Sequence, residues 1–368
     1  MNLSKLKKMV KSILAVPFIR KMVNALQLTL FRVLSLSRIF AIPYHLLFSR
    51  AFDREILAYT HAIYHYHRKI RGVQGSNVLL RRNIHRLEKG MIMENPRAVF
   101  ALDYIEETVE AYAMILEGAS RVALDPGEMQ WAHDTLSAYF KAVDARHSLI
   151  ARLKKRFESL PVPEAALSES TLTPYPSKER DGLQIPSYEA FLALSRKRRS
   201  VRWFQEKKVP REDLDKALAA AAMAPSACNR QPFQYRIFDE PALVKEIANI
   251  PFGTGGYADN LPMVIVVTGD LSDYFSARDR HTIYIDASLS VMAFMYALET
   301  LGLSSVAINW PDFGLLESKM KKKLNLQTYE RPIILLGVGY AKTEGRIPCS
   351  QKKPLDLMRS YNDLGVKR

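Results

Sequence analysis

Five prolines between positions 161 and 186 (Pro161, Pro163, Pro174, Pro176 and Pro186), with Ser, Thr and Glu between them, split this chain into two stretches of different period. Such a composition sustains neither a helix nor a central strand, so 161–186 is read as a linker and a domain boundary. Upstream, residues 53–160 predict an all-helical region. Runs such as 103–118 and 129–159 keep a helical period, with breaks at Pro96 and Pro126. Downstream, from 187 to 368, helices alternate with strands. Helices are expected at 188–196, 213–223 and 286–300, the last mostly apolar and closed by Gly302. Strands are expected at 233–238, 263–268, 305–309 and 332–339, where β-branched and aromatic residues gather.

Charge is distributed as unevenly as structure. Of a formal net charge of +15, nine positive charges fall in residues 1–52, on Lys5, Lys7, Lys8, Lys11, Arg20, Lys21, Arg32, Arg38 and Arg50, with no Asp or Glu among them. Leu3, Leu6, Met9, Val10, Ile13 and Leu14 recur at helical spacing, and the apolar surface continues through Leu26, Leu30, Phe31, Leu34 and Phe40. Residues 1–52 therefore read as a basic amphipathic helical arm. It suits an anionic membrane surface, or packing on the rest of the protein or on a partner subunit. The apolar face is too large for a phosphate-contacting arm, so no nucleic acid is expected. A spanning helix needs ~20 mostly apolar residues. Arg32, Arg38 and Pro43 interrupt the one stretch of that length, so no clean span is expected. The shorter apolar run 13–19 contains Pro17, and no small-residue cleavage site follows it. Only Cys228 and Cys349 are present, which excludes a disulfide framework and a cysteine metal site. The expected location is cytoplasmic, peripheral at the inner face of the membrane if the arm binds lipid.

Several side chains call for a chemical role. In the helical region, Arg81, Arg82, His85, Arg86 and Glu88 crowd one run. His85 and Glu88 would share a helix face but lack the further ligands a metal requires, so an ion-paired helix ending at Gly90 is expected. A phosphate or headgroup contact by Arg81, Arg82 and Arg86 is the alternative. In the second half, Arg198, Arg199, Ser200 and Arg202 cluster donors for a phosphate. Asn229 and Gln231 carry amides that both donate and accept, and Lys352 and Lys353 form another cationic group. Cys228 has no histidine near it in sequence and is read as a small packing residue.

The order of these blocks resembles the nitroreductase family. The run Arg198-Arg199-Ser200-Val201-Arg202-Trp203-Phe204 is followed by Pro225-Ser226-Ala227-Cys228-Asn229-Arg230-Gln231-Pro232. Then come an apolar helix, the segment 302–310, and the ending Gly337-Val338-Gly339-Tyr340 before a basic-Pro-Leu run. The resemblance covers about 188–357. It implies an α+β fold, a central, mostly antiparallel sheet flanked by helices, which the all-helical region would precede. It also implies FMN as cofactor and NAD(P)H as electron donor, with a small-molecule electron acceptor, and a homodimer in which the helix 286–300 is the candidate central contact.

Carried over residue by residue, Arg198, Arg199, Ser200 and Arg202 would bind phosphate, ribityl or pyrimidine groups. Pro225, Ser226, Asn229 and Gln231 would flank the flavin ring, part of that shell coming from the other subunit. Ile308, Asn309 and Trp310 would pass by its reactive edge, and Lys352 or Lys353 would hold the phosphate. No side-chain nucleophile or general base is implied. Asn309 and Trp310 are bulkier than the small residues usual in the family there, and Trp310 would stack on or wall off the substrate side. Residues 251–280 correspond to the variable stretch that covers the active site. The competing reading is a non-enzymatic flavin-binding or scaffold protein, docked to a membrane or partner through its basic helical half.

Overall fold

The computed structural model describes residues 16–71, 77–117, 125–167, 170–362 and 364. The helical spacing expected for residues 3–14 lies outside them. The chain forms two compact units, Met1–Thr60 and His61–Arg368.

In the first unit, helix α1 (Pro17–Leu34) starts with its proline in the first turn, where the missing N–H costs nothing. Helix α2 (Arg38–Pro43) is capped by Ser37, whose hydroxyl accepts from the Ile39 N–H at 3.2 Å. A π-turn, Tyr44–Ser49, follows and ends at Arg50 in the left-handed region. Helix α3 (Asp53–Arg71) contains the boundary between units. Among the described residues no helix is long and apolar enough to cross a membrane.

The second unit holds a helical segment and a sheet, each with its own core. Helices α4 (Asn77–Met91), α5 (Ile105–Leu116), α6 (Pro126–Ala142) and α7 (Ser148–Glu158) bury Ile84, Leu87, Ile105, Tyr112, Leu136 and Tyr139 among themselves. The run 129–159 is two helices rather than one. The backbone turns extended at Val143, and the Asp144 N–H goes to the Ala98 carbonyl at 2.8 Å instead of continuing the ladder. Helix α4 continues past Gly90, whose missing side chain makes room for the Phe100 ring. The proline-rich stretch carries two short turns, Glu164–Leu167 and Ser177–Arg180, and Asp134 of α6 accepts from the Leu172 N–H at 2.8 Å.

After helices α8 (Tyr188–Lys197) and α9 (Arg211–Ala222) the chain builds an antiparallel sheet. Strands β1 (Phe233–Phe238), β2 (Val264–Asp270), β3 (Ser304–Asn309) and β4 (Glu330–Gly339) lie in the order β1-β2-β4-β3. Alternation along the strands sorts side chains to two faces. Val264, Val266, Val306, Ile308 and Leu335 pack with α10 (Pro241–Ala248) and α12 (Gly314–Leu324). Ile265, Val267, Leu336 and Val338 pack with α9 and α11 (Thr282–Thr300). Because β2 is buried on both faces it reads as a continuous apolar run. Helix α11 ends as Gly302 predicted. At φ 75° that glycine lets the Leu303 N–H reach back to the Leu298 carbonyl at 2.9 Å, a left-handed cap that a Cβ would strain.

Candidate functional site

The predicted residues fall into two groups at different places on the sheet. The first lies along β3, the edge strand. Ser200 bridges to Ser305, and the Val201 N–H donates to the Ser305 carbonyl at 3.1 Å, while buried Val201 and Phe204 anchor the run to the core. This leaves Arg198, Arg199, Ser200 and Arg202 half-exposed. Arg199 donates to the Cys349 carbonyl, which brings the tail bearing exposed Lys352 and Lys353 to the same edge. Arg202 is lightly held, by a 3.3 Å bond to the Ser200 carbonyl and by the Tyr257 ring 5.7 Å away.

Further along the same strand Asn309 is exposed, whereas Ile308 and Trp310 are buried. Trp310 was expected at the substrate side. Instead its indole N–H donates to Glu317 at 2.7 Å, and Glu317 is paired with Arg331 of β4. In this chain its exposed neighbour on β3 is Asn309, and Trp310 underpins that strand end.

The second group is the loop ahead of β1. Cys228, Asn229 and Gln231 all take left-handed φ values, of 54°, 51° and 50°. Non-glycine residues occupy that region at a cost, so something must hold the loop. Three contacts do. Ser226 Oγ accepts from the Gln231 N–H at 3.0 Å. Buried Asp286 of α11 accepts from the Ala227 N–H at 2.9 Å and from the Tyr274 hydroxyl at 3.1 Å. Arg81 of α4 donates to the Asn229 carbonyl at 3.0 Å and to Gln231 Oε1 at 3.1 Å, while also pairing with Glu128. Gln231 also donates to the Ala222 carbonyl at 2.8 Å, so both ends of its amide are committed to protein. Asn229, by contrast, is held through its backbone carbonyl. Cys228 is half-buried and free. The run around His85 is paired as expected, Arg86 with Asp103 and Arg81 with Glu128, while His85 hydrogen-bonds Glu88 at 3.3 Å.

Sequence reading missed Arg81, Asp286 and Tyr274 as supports of this loop. A carboxylate at the start of a mostly apolar helix was the available signal for Asp286. Arg81 had none, because its partners lie about 150 positions away.

One chain keeps the two groups apart. Ser305 pairs with Val338, at the end of β4 beside Met263, whereas the loop enters β1 at Phe233, opposite Gly269 at the far end of β2. The groups thus occupy opposite edges of the sheet. The 198–202 run and the loop also lie at opposite ends, whereas Asn309, level with Ile334 and Val267, lies at the loop's end. With strands ~4.8 Å apart and ~3.3 Å per residue, the diagonal from the 198–202 run to the loop is roughly 25 Å. A cleft of about 480 Å³ lined by Phe204, Lys207, Val209, Asn260 and Pro262 contains none of the predicted residues. The β3 edge has the donor chemistry for a phosphate and a sugar-like chain, and the loop has the Asn229 amide and small residues for a flat polar ring. The chemistry of the two groups fits the parts of FMN, the phosphate and ribityl chain at the edge and the flat ring at the loop.

Beside the loop, Lys69 donates to Ser272 at 2.7 Å and pairs with Asp273 and Asp270. Burial pushes the Asp273 carboxyl up to about 7, neighbouring Asp270 adds to this, and Lys69 opposes it. In the unfolded chain the group titrates near ~4, so between pH ~4 and ~7 the folded state holds a proton the unfolded state has lost. This group therefore favours folding less as pH rises through that window. Relative to wild type, Asp273→Asn should gain thermal stability as pH rises from 5 to 8. Parallel melting-temperature curves for the two proteins would contradict this origin of the shift.

Comparison with known proteins identifies the family of the sheet-bearing half. The family model described as "Nitroreductase family" matches residues 195–255 and 244–340. A "Putative NADH dehydrogenase/NAD(P)H nitroreductase" of Archaeoglobus fulgidus is 30% identical over 153 residues, covering 40% of this chain and 83% of that protein. Iodotyrosine deiodinase 1 of Sus scrofa is 26% identical over 213 residues, covering 50% of this chain and 71% of its own. Among solved structures, an FMN-dependent nitroreductase from Clostridium difficile R20291 aligns with a TM-score of 0.41 at 21% identity, over 47% of this chain and 99% of that one. Through the half that carries the sheet and both residue groups, the chain belongs to the nitroreductase family of oxidoreductases.

Proposed function

We propose that the protein takes electrons from NADH or NADPH through FMN to a small-molecule acceptor, as a homodimer with two composite flavin sites. The observation that carries this reading is the contact of Arg199 with the Cys349 carbonyl, 150 positions away, which gathers the 198–202 donors and the Lys352–Lys353 pair at one edge. Bound there, FMN would supply the hydride and electron transfer that no side chain of this protein offers.

The chain's own residues bind and orient. Arg198, Arg199, Ser200, Arg202, Lys352 and Lys353 would hold phosphate and ribityl oxygens, and their charge favours an anionic reduced ring. Exposed Asn309 would face the ring, supported by buried Ile308 and Trp310. Pro225, Ser226 and Asn229 of a second copy would flank the ring, with Gln231 holding their loop in shape. Helix α11 supports such a dimer, because Ile285 and Leu289 are exposed and Met292 is half-buried on one stripe of a mostly apolar helix. The names of the relatives put nitro compounds and iodotyrosine first in an acceptor screen.

The test is anaerobic absorbance of FMN-loaded protein on addition of NADH or NADPH. Bleaching of the flavin bands is expected. Bound flavin that neither donor bleaches would favour the non-enzymatic flavin protein, and a protein that cannot be loaded would sink both readings.

A further inference from the structure

We propose that the first unit docks on an anionic lipid surface, lying in the headgroup layer rather than crossing it. Helix α1 buries one residue, Leu34. Phe18, Met22, Leu26, Leu30 and Val33, at i, i+4, i+8, i+12 and i+15, form one stripe, all exposed and Phe18 by 75%, and of the remaining apolar side chains Leu28 and Phe31 are exposed on the other side. Arg20, Lys21, Asn24 and Gln27 lie on the other side of the helix. The apolar surface continues through Ile39, Phe40, Leu47 and Phe48, the last exposed by 78%. An apolar surface of this extent marks a binding face.

Charge selects the occupant. Residues 1–52 carry nine Lys and Arg and no carboxylate, so a second copy of the same face would be repelled while an anionic headgroup layer is attracted. Each basic side chain near such a surface strengthens attachment roughly fivefold. The apolar stripe adds insertion between headgroups, which a nucleic acid could not use. No described helix is long and apolar enough to cross, so the unit lies in the plane.

Co-sedimentation of the full chain with vesicles tests this, using phosphatidylcholine alone against phosphatidylcholine with phosphatidylglycerol, at low and high salt. Binding is expected to the anionic vesicles and to weaken with salt. The variants Arg20→Glu/Lys21→Glu/Arg32→Glu and Phe18→Ser/Leu26→Ser should each lose roughly 100-fold or more in binding. An unchanged circular dichroism spectrum reports that they fold, independently of flavin content. Equal binding to both vesicle types, or binding to neither, overturns the proposal. So does wild-type self-association that Phe18→Ser/Leu26→Ser abolishes without any lipid binding, which would make a second copy the occupant.

Discussion

Arg81→Ala should weaken FMN retention by roughly 10- to 100-fold and lower folding stability by about 1.5–3 kcal/mol, although Arg81 belongs to the helical segment and not to the family's fold. Its guanidinium bonds the Asn229 carbonyl and Gln231 Oε1, pairs with Glu128, and lies 5.6 Å from the Trp131 ring. Without it, three left-handed residues lose one of the contacts that hold them, and Glu128, whose side chain is only 17% exposed, loses its cation. The effect on flavin arises because Asn229 carries its amide on that loop. Arg81→Lys separates the two contributions. A lysine keeps a charge for Glu128 but not the planar fork, so stability should recover more than flavin affinity. Fluorescence titration with FMN and chemical denaturation read the two quantities. Full FMN affinity in Arg81→Ala would show that the loop contacts no flavin or needs no clamp.

The largest loss of stability is expected from Arg331→Met, about 3–5 kcal/mol by urea denaturation. Arg331 is 3% exposed on β4, paired with Glu317 and with Asp312, while Glu317 is itself buried and accepts from Trp310. Removing the cation leaves a buried carboxylate without that partner, whereas Arg331→Met/Glu317→Leu removes both charges and should recover most of the loss. A double variant as unstable as the single one would place the cost in packing around Trp310 instead.

Much of the sheet-bearing half was legible because its signals are local. Strand β1 begins and ends where its residues predict, the other strands differ by one to two residues, and Gly302 caps α11 as expected. The His85–Glu88 contact also follows from spacing on one helix, whereas Arg86 and Arg81 find their carboxylates, Asp103 and Glu128, on other parts of the chain. What escaped depends on sheet order and long-range partners. Nothing local says that the 198–202 run and the 225–231 loop reach opposite corners, because that follows from β1 and β3 being the two edges. Likewise, both polar ends of Gln231 look available until Arg81 and the Ala222 carbonyl claim them. Trp310 was legible in principle. Strand alternation puts it on the same face as buried Ile308 and leaves Asn309 outward.

In the proposed homodimer a flavin site takes one corner from each of two chains, and complementation measures this directly. Arg202→Ala damages only the β3 edge and Asn229→Asp only the loop, the latter keeping a residue type that tolerates φ 51°. Each purified variant should bind FMN weakly. After the two are unfolded and refolded together in equal amounts, half the dimers are mixed and each carries one intact site. About one quarter of all sites should then bind FMN with wild-type affinity. A mixture that binds no better than the two variants apart would contradict the account and put the whole site within one chain.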